Sequence, residues 1–177
     1  ANRGEVAVRI ARTATDMGLA TVGVFTADDA LALHTRRVDT AVVLPKAGAS
    51  GYLDGTAMVS TALAQGCDAV HPGWGFRSED ARFAQQVEDA GLVFVGPTVA
   101  QLGKLGDKLS ALALAEQAGV PVLPTSAALT DADEIQAFRD THDIETVMLK
   151  AAGGGGGRGM RIVRKCDDAA QLLNQCQ

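Results

Sequence analysis

The residues best suited to chemistry lie late in the sequence. Lys150 is followed, after two alanines, by five glycines at 153–157, then Arg158, Gly159 and Met160. Five consecutive glycines surrender more backbone freedom on ordering than any other run, so the stretch must do something that side chains would obstruct. A run of side-chain-free amides can fold over a polyphosphate and turn several N–H donors onto its oxygens. Arg158 adds a fixed cation, and Lys150, closing an apolar strand, faces the same anion. Gly154, Gly156 and Gly159 also satisfy G-x-G-x-x-G, but that dinucleotide pattern requires a helix immediately afterwards, and "MRIV" reads as a strand. A P-loop closes on Gly-Lys-Ser/Thr, which Arg158-Gly159-Met160 does not supply. Two plainer readings stand beside the phosphate lid: a flexible hairpin loop, and a Lys150 that simply reaches from a strand end into water.

The elements that must position these groups alternate regularly. Val6, Ile10, Ala14 and Met17 repeat at helical spacing and the pattern stops at Gly18. A strand is expected at 20–25, a short helical stretch at 29–38, a strand at 40–44, a Gly/Ser/Pro loop at 45–52 and a helix at 53–65. Then come a strand at 68–71, the loop "PGWGFRSED", a helix at 81–90 and a strand at 92–95. Short β-branched runs alternating with helices are the signature of βαβ units, so the first ~96 residues read as a doubly wound parallel sheet. A helical region at 99–118, broken near Gly103 and Gly106, leads to "GVPVLP", whose prolines mark a boundary. Beyond it follow a helix at 131–141, a strand at 146–149, the glycine run, a strand at 160–164 and an unfinished helix. The expected divisions are 1–96, a connecting segment at 97–121, and 122–177. Both ends read as cut from a longer protein.

Composition narrows the classes. Of 177 residues, 47% are hydrophobic and 21% charged, ordinary for a soluble globular chain with a core. With 16 Lys and Arg against 21 Asp and Glu there is no basic run, so neither nucleic acid nor an anionic membrane is expected as a partner. Cys67, Cys166 and Cys176 are odd in number and lack Cys-x-x-Cys spacing, which suits reduced thiols in a cytoplasmic compartment. No apolar stretch approaches the ~20 residues of a membrane span. Cys67 is expected to be core, and His71, before a proline at a strand end, to be structural.

Four segments, "ANRGEVAVRIARTATDMG", "DAVHPGWGFRSEDARFA", "LGDKLSALALAEQAGVPVLP" and "LKAAGGGGGRGM", resemble successive signatures of biotin carboxylase, the ATP-grasp component of biotin-dependent carboxylases. The likeness runs in order across essentially the whole chain. It implies a Rossmann-like pre-ATP-grasp domain followed by the start of an ATP-grasp lid. It also implies that Lys108 and Lys150 contact nucleotide and that Gly155, Gly156 and Gly157, with Arg158 and Met160, belong to the phosphate-covering lid. Trp74, Gly75 and Glu79 would border the substrate side, and Arg9, Arg12 and Asp16 would form a homodimer interface, or else a charged solvent face.

The implied reaction is ATP-dependent. Bicarbonate attacks the γ-phosphate of MgATP to form carboxyphosphate, and the released CO₂ is captured by N1 of biotin on a carrier domain, for delivery to a carboxyltransferase domain or subunit. A lid that closes only over nucleotide would shield that intermediate from water. The resemblance puts the Mg²⁺ ligands and other catalytic groups beyond Gln177, so the segment alone is expected to be inactive, with no catalytic residue inside it. A non-catalytic nucleotide-binding or scaffold module, or another ATP-grasp ligase, is the alternative. Where the family usually has "GYGFLSEN", this chain has Trp74, Arg77 and Asp80 in place of Tyr, Leu and Asn, which bears on the biotin pocket rather than on nucleotide binding.

Overall fold

The computed structural model describes residues 1–106, 108–150 and 159–175, with the Lys108 side chain outside that description. The chain forms two compact units, 1–107 and 108–177. The division falls between the helices at 99–105 and 108–117, so each unit holds one of them.

The first unit is α/β. Helix α1 (Gly4–Asp16) carries Glu5 in its first turn, where a carboxylate suits the amino end of the helix dipole. It stops where expected: Gly18 takes φ +74°, and Leu19 N–H reaches back to the Ala14 carbonyl at 2.9 Å. Strands β1 (Val22–Phe25) and β2 (Thr40–Val43) pair in parallel from Val22↔Thr40 to Phe25↔Val43. Their start is pinned by Asp39, whose carboxylate accepts from the Thr21 amide at 2.7 Å and hydroxyl at 2.8 Å.

Between β1 and β2 the single helical stretch expected at 29–38 is absent. Two 3₁₀ turns, Ala27–Asp29 and Leu33–Arg36, stand there instead. Local bonds favour them, among them the Thr35 hydroxyl to the Ala32 carbonyl at 2.8 Å. The 45–52 loop also differs from expectation, because it contains helix α2 (Gly48–Tyr52), anchored by the fully buried Tyr52.

Helix α3 (Gly55–Ala64) is capped by Asp54, and α4 (Ala81–Asp89) by Asp80. Strands β3 (Ala69–Val70) and β4 (Val93–Phe94) form a second parallel pair. Helix α5 (Val99–Leu105) opens with a Thr98/Gln101 capping box and runs through Gly103 without a break, ending at Gly106. One core joins both pairs to the helices: Val24, Leu44, Met58, Val70, Phe83, Val87, Phe94 and Leu102 are all buried in it. Phe83 meets Phe94 edge to face at 6.1 Å.

The second unit contains α6 (Lys108–Gln117), α7 (Asp133–His142), β5 (Val147–Lys150), β6 (Met160–Val163) and α8 (Ala169–Asn174). Strands β5 and β6 are antiparallel, with Val147 opposite Val163 and Lys150 opposite Met160. Ile135, Leu149 and Val163 make the core, joined by Leu172 and Leu173 of α8. Arg139 is buried and donates to the Val163 carbonyl at 2.5 Å.

Candidate functional site

In the first unit the candidate residues gather on the loop that follows β3. Residues 1–3 hold it. Asn2 is buried, and its carboxamide N–H₂ donates to the carbonyls of Pro72 at 2.8 Å and Trp74 at 2.9 Å, while its oxygen accepts from the Arg3 amide at 2.8 Å. Glycine is required at 73 for two reasons: φ is +72°, and a Cβ there would stand 2.5 Å from Asn2 Nδ2. His71 plays the structural part expected of it, with Nδ1 accepting from the Gly73 amide at 3.0 Å and burial lowering its pKa.

A second polar cluster braces the same loop. The Arg3 guanidinium pairs with Asp29 at 3.1 Å and lies over the rings of Tyr52 (5.5 Å) and Phe76 (5.9 Å). The Tyr52 hydroxyl donates to Asp29 at 2.8 Å and accepts from the Thr26 amide at 3.2 Å. Burial, then the bond to Asp29, pushes the Tyr52 pKa up to about 12. Burial alone would raise Asp29, but the bonds from Tyr52 and Arg3 hold it below the usual carboxylate range.

Against this frame Trp74 is 72% exposed, and Gly75 and Glu79 are exposed as well. Glu79 borders a groove of about 250 Å³ with Pro97, Gln101, Leu102, Leu105 and Gly106. Arg77 is not a loose charge at the mouth of the loop: it pairs with Asp80 and donates to the Leu53 carbonyl. Arg9, Arg12 and Asp16 are exposed on α1. Cys67 is half-buried, packs against the core, and has its thiol pKa raised by burial.

In the second unit the antiparallel register sorts side chains by face. Leu149 and Val163 turn to the core. Met148 stands opposite Ile162 and Lys150 opposite Met160 on the other face, where Met148 and Ile162 are 47% and 48% exposed and Lys150 is exposed. The result is an open apolar patch ending in a cation beside the glycine run. Sequence reasoning singled out Lys150 and Met160 but missed Met148 and Ile162, which the period-two alternation of "VMLK" and "MRIV" marks. Gly155, Gly156, Gly157 and Arg158 lie outside the described residues, as does the Lys108 side chain, although Lys108 begins α6. A cavity of about 370 Å³ lined by Glu145, Thr146, Arg164, Lys165 and Cys166 lies at the opposite end of the hairpin from Lys150. Among the described residues no cluster of three or more His, Cys, Asp or Glu could hold a metal ion.

Parallel strand pairs wrapped by helices in the first unit, and an antiparallel hairpin packed on helices in the second, define an α/β protein. Residues 1–102 match the family profile "Biotin carboxylase, N-terminal domain", and residues 107–177 match "Carbamoyl-phosphate synthase L chain, ATP binding domain". The chain belongs to the biotin carboxylase family. It is 45% identical over 173 residues to a pyruvate carboxylase of Aspergillus terreus, covering 95% of this chain and 14% of that protein. It is 41% identical over 179 residues to a biotin carboxylase of Nostoc sp., covering 100% of this chain and 40% of that one. The crystal structure of a biotin carboxylase–β,γ-ATP complex from Campylobacter jejuni superposes with a TM-score of 0.92 at 34% identity, over 99% of this chain and 40% of that one. The chain thus spans well under half of each of these relatives. No helix among the described residues is long and apolar enough to cross a membrane.

Proposed function

We propose that this chain is the front section of a biotin carboxylase that uses ATP and bicarbonate to carboxylate biotin on a carrier domain through carboxyphosphate. The observation that carries the reading is the outward hairpin face, Met148, Met160 and Ile162 with Lys150 at its end. Its chemistry fits a nucleotide: thioethers and an aliphatic side chain suit a flat base, and a lysine at the end of the patch suits the phosphates that follow it. Lys108, Gly155, Gly156, Gly157 and Arg158 would complete the phosphate contacts. The nucleotide would enter as its magnesium complex, which neutralises charge as the phosphoryl group moves.

On the other side of the reaction, Gly75 offers its backbone, Trp74 an exposed aromatic wall and Glu79 a carboxylate at the groove. In this reading 1–96 is the pre-ATP-grasp domain, 97–121 the connection and 122–177 the opening of the lid. A carboxyltransferase domain or subunit takes up the carboxyl group, Arg9, Arg12 and Asp16 face a second copy of the chain, and the protein works in the cytoplasm. Relatives that include pyruvate carboxylases and a Mycobacterium leprae acyl-coenzyme A carboxylase subunit support the carrier and carboxyltransferase partners in this reading.

The test is ADP release by the intact protein with MgATP and bicarbonate, with and without free biotin, comparing wild type with Lys150→Ala. Biotin-stimulated release that falls about 100-fold in the variant is expected, as for loss of a charge that stabilises phosphoryl transfer. ATP turnover indifferent to biotin would reassign the protein to another ATP-grasp ligase. Absence of turnover would leave a nucleotide-binding module.

A further inference from the structure

We propose that Arg77 is a positioning residue: with Asp80 it forms a clasp that fixes the 71–80 loop in the shape that presents Trp74 and Gly75. The inference rests on reading that loop as the biotin side of the reaction. The loop needs fixing because its backbone is unusual. Gly73 and Gly75 take φ +72° and +68°, and Phe76, which has a side chain, takes φ +44°. Such a conformation persists only where the surroundings over-determine it. The first arm of the loop is held by Asn2 and by Phe76, whose ring lies tilted against Tyr52 with centroids 5.3 Å apart.

The second arm is held by Arg77. Its Nε donates to the Leu53 carbonyl at 2.8 Å and its Nη2 to the same oxygen at 2.5 Å. Leu53 closes α2, where carbonyls lack intrahelical partners, so the guanidinium caps that helix from outside. Arg77 Nη1 pairs with one carboxylate oxygen of Asp80, whose other oxygen accepts from the amides of Arg82 at 2.9 Å and Phe83 at 3.2 Å and so caps α4. One rigid fork therefore joins the end of α2 to the start of α4, the helix into which the exposed loop runs. A lysine offers a point charge that can serve one partner but not hold both in a plane. An exposed ion pair alone would do little. The two helix ends tied through a single planar group are what make the contact geometric rather than merely attractive.

The experiment uses the intact protein with Arg77→Leu, Arg77→Lys, Asp80→Asn and the Arg77→Leu/Asp80→Asn double variant. Biotin-stimulated ADP release is measured with biotin and ATP varied separately, and amide hydrogen exchange is followed across 73–79. Arg77→Leu is expected to raise KM for biotin about three- to tenfold, leave KM for ATP unchanged and speed exchange within 73–79, the size typical of a coupled contact. Asp80→Asn is expected to do less, because asparagine still caps α4. Arg77→Lys should recover part of the loss, and the double variant should be no worse than Arg77→Leu, since both changes break one contact.

Unchanged KM for biotin and unchanged exchange in Arg77→Leu would overturn the proposal, as would single effects that add in the double variant. If Arg77→Leu fails to fold, Asp80→Asn and Arg77→Lys carry the same comparison. If even the wild type shows no response to biotin, the functional reading fails, and exchange alone judges the clasp: acceleration confined to 73–79 supports it, and none overturns it.

Discussion

Replacing Asn2 with Asp tests the frame of the loop with almost no change of shape. The carboxamide nitrogen points at two carbonyl oxygens, Pro72 at 2.8 Å and Trp74 at 2.9 Å, within a residue that is 4% exposed. Aspartate turns that donor into a third acceptor. Two hydrogen bonds at about 1 kcal/mol each are lost, and a buried charge now faces carbonyl dipoles, so Asn2→Asp should destabilise the first unit by about 3–5 kcal/mol at neutral pH. The side chain can escape by protonating, because the neutral acid regains one O–H donor. Its folded pKa must therefore lie above that of an unfolded aspartate, so stability is greatest below the unfolded pKa and is lost as pH rises through the folded one. Asn2→Ala loses those two bonds and the one that the side-chain oxygen accepts from the Arg3 amide, without gaining a charge, at about 2–3 kcal/mol and with no such dependence on pH. Urea unfolding of the intact chain followed by circular dichroism measures the stability, and fluorescence of Trp74, the single tryptophan, reports on the loop itself. Asn2→Asp within about 0.5 kcal/mol of wild type at neutral pH would refute the reasoning, as would a gap between Asp and Ala variants that does not close on acidification.

Other perturbations address the same unit. Gly51→Ala adds a Cβ that would meet the Lys46 carbonyl and lie 2.5 Å from Thr26 Cγ2. The helix preference for alanine is outweighed, and a loss of about 1–3 kcal/mol in urea unfolding is expected. His34 is 1% exposed, and burial lowers its pKa below the usual 6.5. The folded state resists the proton, so stability is full above the unfolded pKa and falls as pH drops through about 6.5 toward the folded value. The urea midpoint should accordingly fall further in wild type than in His34→Gln between about pH 7.5 and about pH 5.5; equal falls would mean that other groups carry the acid sensitivity.

Much of the scaffold was legible because its signals are local. The Val6, Ile10, Ala14 spacing and Gly18 mark α1, Asp80 marks the start of α4, and alternation marks β5 and β6. Where the sequence misleads, tertiary contacts override propensity. "GASGY" is a poor helix former, yet it forms α2 because the turn delivers Tyr52 to the core and to Asp29. The expected helix at 29–38 fails because Asp28 and Asp29 spend their carboxylates on Gly48, Arg3 and Tyr52 instead of on a helix start. The same reasoning explains what was missed at the site. The contacts of Asn2 run to residues 70 and 72 positions away, and nothing in the spacing of "ANRGE" announces them. Met148 and Ile162 were readable, since alternation alone puts them on the face of Lys150.

The two candidate regions answer the cost of glycine in different ways. At 71–80, glycines supply left-handed turns that are then locked by Asn2, Arg3, Arg77 and Asp80, so the backbone freedom given up is recovered in fixed hydrogen bonds. At the hairpin, the strands are packed from one face only, by Leu149 and Val163 against α7 and α8, while Met148, Lys150 and Ile162 face outward. Nothing within the described hairpin covers that outer face, and the register places Lys150 and Met160 at the two strand ends that the glycine run joins. A connection from 151 to 159 is longer than the two to five residues a tight hairpin needs. Length and missing side chains are what the proposed polyphosphate ligand would ask of such a sequence, because bare amides are the donors that satisfy its oxygens best.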